Sequence, residues 1–186
     1  MCEICKNQNF TAEIEGFTSE GSGVARIGGR AVFVQGALPG ETWKLVITKV
    51  TKTAVYARGL ECLAASSSRV EPACPFYSRC GGCGLMHMSY AEELGMKRAR
   101  VNDALRRIGG LSLEISDIVP CGTTEHYRNK AVYNISEENG APVFGFYRSG
   151  SHDVVPIDRC LLQTEAADHI AAAVCRWMVR SGIRAY

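Results

Sequence analysis

Alternation of apolar and polar positions dominates the first sixty residues. Phe10 to Phe17 reads as a strand with Glu13 and Glu15 at alternate positions. Gly23 to Ile27 and Arg30 to Gln35 flank a Gly28-Gly29 pair. Glycine tolerates the positive φ that a two-residue turn demands, so the pair predicts a hairpin. Gly36-Ala37-Leu38-Pro39-Gly40 is a loop by composition. Thr42 to Val50 then sets Trp43, Leu45 and Ile47 against Lys44, Val46 and Thr48, and Thr53 to Leu60 supplies a fifth strand. Five short strands at this spacing predict a small antiparallel unit closed into an OB-like barrel. Closure removes the sheet edges, so such a unit folds as a domain.

The pattern then changes. Residues 64–68, Ala-Ala-Ser-Ser-Ser, have linker composition. Residues 69–88 hold three cysteines, two prolines and a Gly-Gly pair, which predicts a loop-rich knuckle. Ser89 and Glu92 have capping-box spacing, and Leu94, Val101, Leu105 and Ile108 share one helical face that ends at Gly109-Gly110. Tyr127 to Ser136, the turn pair Asn139-Gly140 and Val143 to Arg148 predict a second hairpin, with Val154-Val155 as a third strand. Glu165 to Arg180, rich in alanine, predicts a second helix stopped by Gly182. The chain shows no internal repeat.

With 186 residues, 46% of them apolar, the chain is sized for one or two domains with a buried core. No run approaches the ~18 apolar residues of a membrane helix, so no membrane partner is expected. Met1-Cys2-Glu3-Ile4-Cys5-Lys6 lacks an apolar secretory segment, so no signal peptide is expected. A net charge of +2 does not announce a nucleic-acid binder, which would have to use local patches.

The cysteines alter the picture most. Nine are present, at 2, 5, 62, 74, 80, 83, 121, 160 and 175. An odd count without an export signal argues against a disulfide scaffold and for a reduced, cytoplasmic setting. Cys74-x5-Cys80-x2-Cys83 has metal-site spacing, because a Cys-x2-Cys turn presents two sulfurs toward one point. Gly81-Gly82 allows the tight turn and leaves amide N–H groups free to face sulfur. A fourth ligand must come from a distance. Cys160, after Asp158-Arg159 at a strand-to-helix junction, is the candidate and would close a loop of 76 intervening residues. Zinc and an iron–sulfur cluster both fit this set. The missing second Cys-x2-Cys pair leans toward iron–sulfur, which accepts a triplet plus a remote cysteine. Cys62, Cys121 and Cys175 read as small buried residues. Cys2-x2-Cys5 offers only two ligands. His87 reads as a packing or hydrogen-bonding residue ahead of a rival ligand.

Basic and aromatic residues add two candidate surfaces. From Lys97 onward the first helix carries Lys97, Arg98, Arg100, Arg106 and Arg107 against Asp103 alone, a face suited to phosphate or simply to solvent. In the second hairpin, Tyr127-Arg128-Asn129-Lys130 begins one strand and Phe146-Tyr147-Arg148 ends its partner. Aromatic and basic groups on one sheet face stack bases and hold phosphates of single-stranded RNA, although aromatics also simply pack. Lys97, Arg98, Arg100, Tyr127, Arg128, Lys130, Phe146 and Arg148 are therefore candidate RNA contacts. No acid–base or nucleophile constellation and no phosphate loop stands out, and Gly21-Ser22-Gly23 lies within the barrel. No catalytic residue is assigned.

These motifs resemble a known family. Arg69-Val70-Glu71-Pro72-Ala73-Cys74-Pro75, Cys80-Gly81-Gly82-Cys83-Gly84-Leu85-Met86-His87, and Tyr90 through Val101 resemble the iron–sulfur region of bacterial RNA uracil-5-methyltransferases. The likeness is to members that act on 23S ribosomal RNA. Leu105 to Gly110, Tyr127 to Lys130, Gly145 to Arg148 and Ser151 to Cys160 continue it. Glu20 to Ala25 and Phe33 to Glu41 resemble the TRAM domain of those enzymes. The resemblance implies a mixed α+β chain: a TRAM barrel over 1–63, a linker over 64–68, an iron–sulfur RNA-binding domain with an antiparallel sheet over 69–164, and a helix over 165–186 leading toward a catalytic domain. It implies a [4Fe-4S] cluster, rather than zinc, on Cys74, Cys80, Cys83 and Cys160. Met86 and Glu93 stand where members commonly have glutamine; neither departure touches a ligand.

In that family the methyl donor is S-adenosylmethionine. A cysteine thiolate adds to carbon 6 of a flipped-out uracil, carbon 5 attacks the methyl group, and a base removes the carbon 5 proton. This chemistry belongs to a Rossmann-like domain, for which the 26 residues after Cys160 are too few. The chain is thus expected to be the N-terminal portion of such an enzyme, monomeric, inactive alone, with ribosomal RNA as partner and S-adenosylmethionine bound only at full length. The rivals are a stand-alone metal-bearing RNA-binding protein and, more remotely, an electron carrier.

Overall fold

The computed structural model describes residues 4–185, so Cys2 lies outside the described residues. It divides into two compact units: the residues up to Glu71 together with His87–Val119, and Pro72–Met86 together with the residues from Pro120 onward. No helix among the described residues is long and apolar enough to cross a membrane.

In the first unit, β1 (Asn9–Phe17), β2 (Gly23–Ile27), β3 (Arg30–Val34), β4 (Thr42–Val50) and β5 (Val55–Ala64) form a closed barrel in the order β1-β2-β3-β5-β4. The Gly28-Gly29 turn is as expected, with φ of 56° and 79° and Ile27 paired to Arg30. One ladder departs from the antiparallel expectation: β3 and β5 run parallel, with Val32 opposite Val55. β5 also runs beyond Leu60, because β4 partners it along its whole length, to Thr42 opposite Ala64. Alternation fills the interior with Ile14, Val32, Val34, Leu45, Ile47 and Val55, all fully buried. At Gly59 a Cβ would stand 2.7 Å from the Trp43 ring, so only glycine lets the indole lie there.

Residues 64–68 are not a free linker. The buried Glu41 carboxylate accepts from Leu38 N–H and Trp43 Nε1 (2.8 Å each), from Ser66 N–H, and from Arg69 Nε and Nη2 (2.5 and 2.8 Å). Arg69 Nη2 also donates to the Gly36 carbonyl at 2.7 Å. Burial alone would raise the Glu41 pKa; the Arg69 guanidinium and the converging N–H donors outweigh it and hold the group down at about 2.

Helix α1 (Tyr90–Arg107) begins on half of the expected capping box. Ser89 Oγ accepts from Glu92 N–H at 3.3 Å, but the Glu92 carboxylate accepts from Ser68 Oγ, and Ser89 N–H donates to the Ser68 carbonyl. The expected apolar face is not seated: no residue of α1 is buried, and Ile108 is 88% exposed.

The second unit holds β6 (Asn134–Glu138), β7 (Ala141–Tyr147) and β8 (Val154–Pro156) as an antiparallel sheet in that order, with α2 (Glu165–Arg180) packed on β7. Asn139 (φ 53°) and Gly140 (φ 78°) make the hairpin turn. Phe144, Ile157, Ala171 and Cys175 form its core. The strand predicted from Tyr127 begins only at Asn134. The register places Asn134 opposite Gly145, so Lys130 would fall opposite Ser149, past the end of β7. Without a partner strand, residues 127–132 stay irregular and exposed.

The units do not follow the expected boundaries at 64–68 and 164. Arg69 and Ser68 tie the linker and α1 to the barrel's unit, while the knuckle joins the sheet and α2.

Candidate metal centre

The knuckle is a run of tight turns: Tyr77 N–H donates to the Cys74 carbonyl, and Arg79 and Cys80 N–H to that of Phe76. Gly81 N–H donates to the Tyr147 carbonyl at 2.9 Å, so the knuckle lies against the end of β7. A Cβ at Gly81 would stand 2.7 Å from that carbonyl, which makes glycine obligatory for the approach. Gly82 N–H donates to Cys80 Sγ at 3.4 Å. Cys160 is placed from the other side. Its N–H donates to Asp168 Oδ2 at 3.0 Å, and Asp168 Oδ1 accepts from the Tyr133 hydroxyl at 2.5 Å. Burial, then Asp168, pushes the Tyr133 pKa up, so it remains a donor.

Cys74, Cys80, Cys83 and Cys160 line one cavity of about 60 Å³, walled also by Phe76, Met86, Arg128, Phe146 and Gln163. Burial pushes the Cys83 thiol up to about 11, helped by Cys160, Cys80 and Cys74 and opposed by Arg128. Burial likewise raises Cys80, against the Gly82 N–H. Ligation by a cation reverses this preference, because a coordinating thiol is deprotonated outright. Among the described residues no three His, Cys, Asp or Glu side chains converge as a single ion requires. Four cysteine thiols lining one cavity are the donor set that a sulfur-ligated cluster uses. Gln163 is 2% exposed, and its buried Oε1 has no hydrogen-bond partner.

The other cysteines fall apart as a class. Cys175 is buried as expected and Cys62 is half-buried, but Cys121 is exposed, a correction that follows from the irregular segment around it. Cys5 is exposed. His87 is buried in the first unit and does not line the cavity; burial, then Arg69, lowers its pKa, in keeping with a packing role.

The candidate RNA contacts divide between the units. Lys97 pairs with Glu93, Arg98 donates to the Ser116 carbonyl, and Arg100 is exposed. Tyr127, Arg128, Lys130 and Arg148 are exposed in the second unit, and Arg128 also borders the cysteine cavity. Phe146 is not a free stacking surface: it packs on Tyr133 at 5.2 Å and walls the cavity. Its neighbour Tyr147 is the exposed ring, edge-on to His152. Phe144 and Phe146 share a strand face, and that two-residue period was the available signal. A second surface escaped the sequence reading. An open groove of about 720 Å³ on the barrel is lined by Phe33, Tyr56, Thr48 and Arg58 among others. The Phe33 and Tyr56 rings are 5.6 Å apart, and Lys49 Nζ lies 6.0 Å from the Tyr56 ring. Parallel pairing sets these two residues side by side, and a sequence read as antiparallel hides it.

A closed barrel and a separate α+β unit with four cysteines lining one cavity define a modular protein. Residues 4–60 match the TRAM domain. An uncharacterised RNA methyltransferase of Clostridium tetani is 36% identical over 98% of this chain and 40% of its own, and one of Listeria innocua is 40% identical over 88% and 36%. A crystal structure of Pyrococcus abyssi tRNA (uracil-54, C5)-methyltransferase in complex with S-adenosyl-L-homocysteine has the same fold (TM-score 0.65, 22% identity, 93% of this chain, 37% of that one). The chain is similar to these RNA methyltransferases over nearly all of its length and spans about two fifths of theirs.

Proposed function

We propose that this chain is the RNA-recognition and [4Fe-4S] portion of an S-adenosylmethionine-dependent RNA uracil-5-methyltransferase acting on 23S ribosomal RNA in the cytoplasm. The observation that carries the reading is the meeting of Cys74, Cys80, Cys83 and Cys160 on one cavity in a homologue of RNA methyltransferases. When bound, the cluster would supply iron–thiolate bonds that tie the knuckle to the start of α2. The chain's own groups do the rest. Asp168 holds the Cys160 backbone, and Gly81 seats the knuckle on β7. Phe33 and Tyr56 offer faces to unstacked bases, with Lys49 and Arg58 beside them for phosphate. S-adenosylmethionine serves the full-length enzyme, and its site lies outside these residues. The 23S target rests on the motif resemblance, since a fold likeness to a transfer-RNA enzyme does not set the substrate.

Anaerobic purification tests the metal reading: a brown protein with about four irons and four sulfides is expected, and a colourless one with stoichiometric zinc overturns it. Deleting the full-length gene should remove 5-methyluracil from 23S ribosomal RNA and leave transfer RNA untouched; the reverse result moves the target. Incubation of the 186-residue chain with S-adenosylmethionine and ribosomal RNA should transfer no methyl group.

A further inference from the structure

Gln163 is a buried polar wall of the cysteine cavity whose chemistry the proposed ligation leaves unused. The backbone around it is fixed. His126 N–H donates to the Leu161 carbonyl, Arg128 N–H to the Leu162 carbonyl, and the His126 ring meets the Gln163 carbonyl at 2.6 Å. Stitched in this way, residues 161–163 cannot swing outward, and the Gln163 side chain stays in the wall. It is 2% exposed, and its Oε1 finds no partner. An apolar side chain of the same size would fill the space without burying an unpaired acceptor. Rotation of the amide by half a turn exchanges the oxygen for the NH2 group with little change of shape. Thiolate and sulfide sulfurs only accept hydrogen bonds, so a cluster in this cavity calls for donors.

We infer that Gln163 is a positioning residue for the cluster, its side-chain NH2 donating to a thiolate or sulfide sulfur once the cavity is loaded. This rests on the cluster reading proposed above. The donor stabilises the more negative, reduced state and retards loss of iron, as outer-shell partners of metal sites do. Without the cluster the same amide is a buried polar group that the apo fold would do better without.

The two states therefore respond to substitution in opposite directions. The test compares the full 186-residue chain with its Q163M and Q163E variants, each reconstituted anaerobically with iron and sulfide. For Q163M, iron release to a chelator should be about tenfold faster than in the parent. Its reduction potential should fall, and the melting midpoint of the apo chain should hold or rise. Q163E, which offers a carboxylate in place of a donor, should lose iron faster still. A Q163M variant that keeps its iron and potential overturns the donor role and leaves the cluster standing. A Q163M variant whose apo and loaded forms weaken together also overturns it, since that is the mark of packing alone. A parent chain that takes up no acid-labile sulfide overturns both the cluster and the donor.

Discussion

The two units solve the problem of stability differently. The barrel collects ten buried hydrophobic residues into one cluster, whereas the sheet unit collects four. Where a larger core would sit, the sheet unit has four thiols around a cavity. Hydrophobic burial scales with the apolar area removed from water, so the barrel can stand on its packing, and the sheet unit must draw on something else. A metal that binds only the folded state supplies folding free energy directly. The contrast teaches that one chain can carry a module held by its packing beside one with a smaller apolar cluster, whose order the proposed cluster would reinforce.

The sharpest way to break this contrast is Cys83→Ser. With the proposed cluster bound, loss of this thiol should release a tie that spans 76 intervening residues, worth about 4–5 kcal/mol of loop closure alone. Hydrogen exchange should show the sheet unit opening while the barrel keeps its protection. Equal loss in both would end the distinction. Next in size is Arg69→Met, which strands the buried Glu41 carboxylate and should cost the barrel about 3–5 kcal/mol in urea unfolding.

Acid should reach the barrel through the same carboxylate. Glu41 is held below its ordinary 4.5, at about 2, so its contribution is complete above the unfolded value and drains away as pH falls through that window. The loss is about 3 kcal/mol at most. Glu41→Gln should flatten the barrel's stability between these pH values, and an unchanged acid slope in the variant would remove Glu41 as the cause. The smallest of the four is Gly145→Ala, whose Cβ would stand 1.9 Å from the Val155 carbonyl. Displacement of β8 should cost about 1–3 kcal/mol in the sheet unit and nothing in the barrel, read from separate unfolding transitions.

How much of this was legible depended on where the determining contact lay. The barrel strands were readable because alternation is a local signal, and the Gly28-Gly29 and Asn139-Gly140 turns were readable because positive φ restricts residue choice. The closing β3–β5 ladder was not, since parallel pairing is written in no local pattern. Leu94, Val101, Leu105 and Ile108 do recur at helical spacing, yet a periodic stripe only states a preference for burial and cannot supply the surface that buries it. The triplet Cys74, Cys80, Cys83 announced itself by spacing, and Cys160 by its junction. Gln163 carried no signal at all: a lone glutamine ahead of a helix is ordinary until three dimensions put it in a wall of thiols.

The remoteness of Cys160 also sets a timetable. A ribosome adding about 5–20 residues each second completes β5 and Arg69 roughly 5–20 s before it reaches Cys160. During that interval the barrel's strands and its Glu41–Arg69 clasp are already in hand, while Cys74, Cys80 and Cys83 have no fourth partner. The cavity is thus a late-closing structure by birth order. Three thiols wait through most of the unit's synthesis before the fourth arrives to complete the cavity.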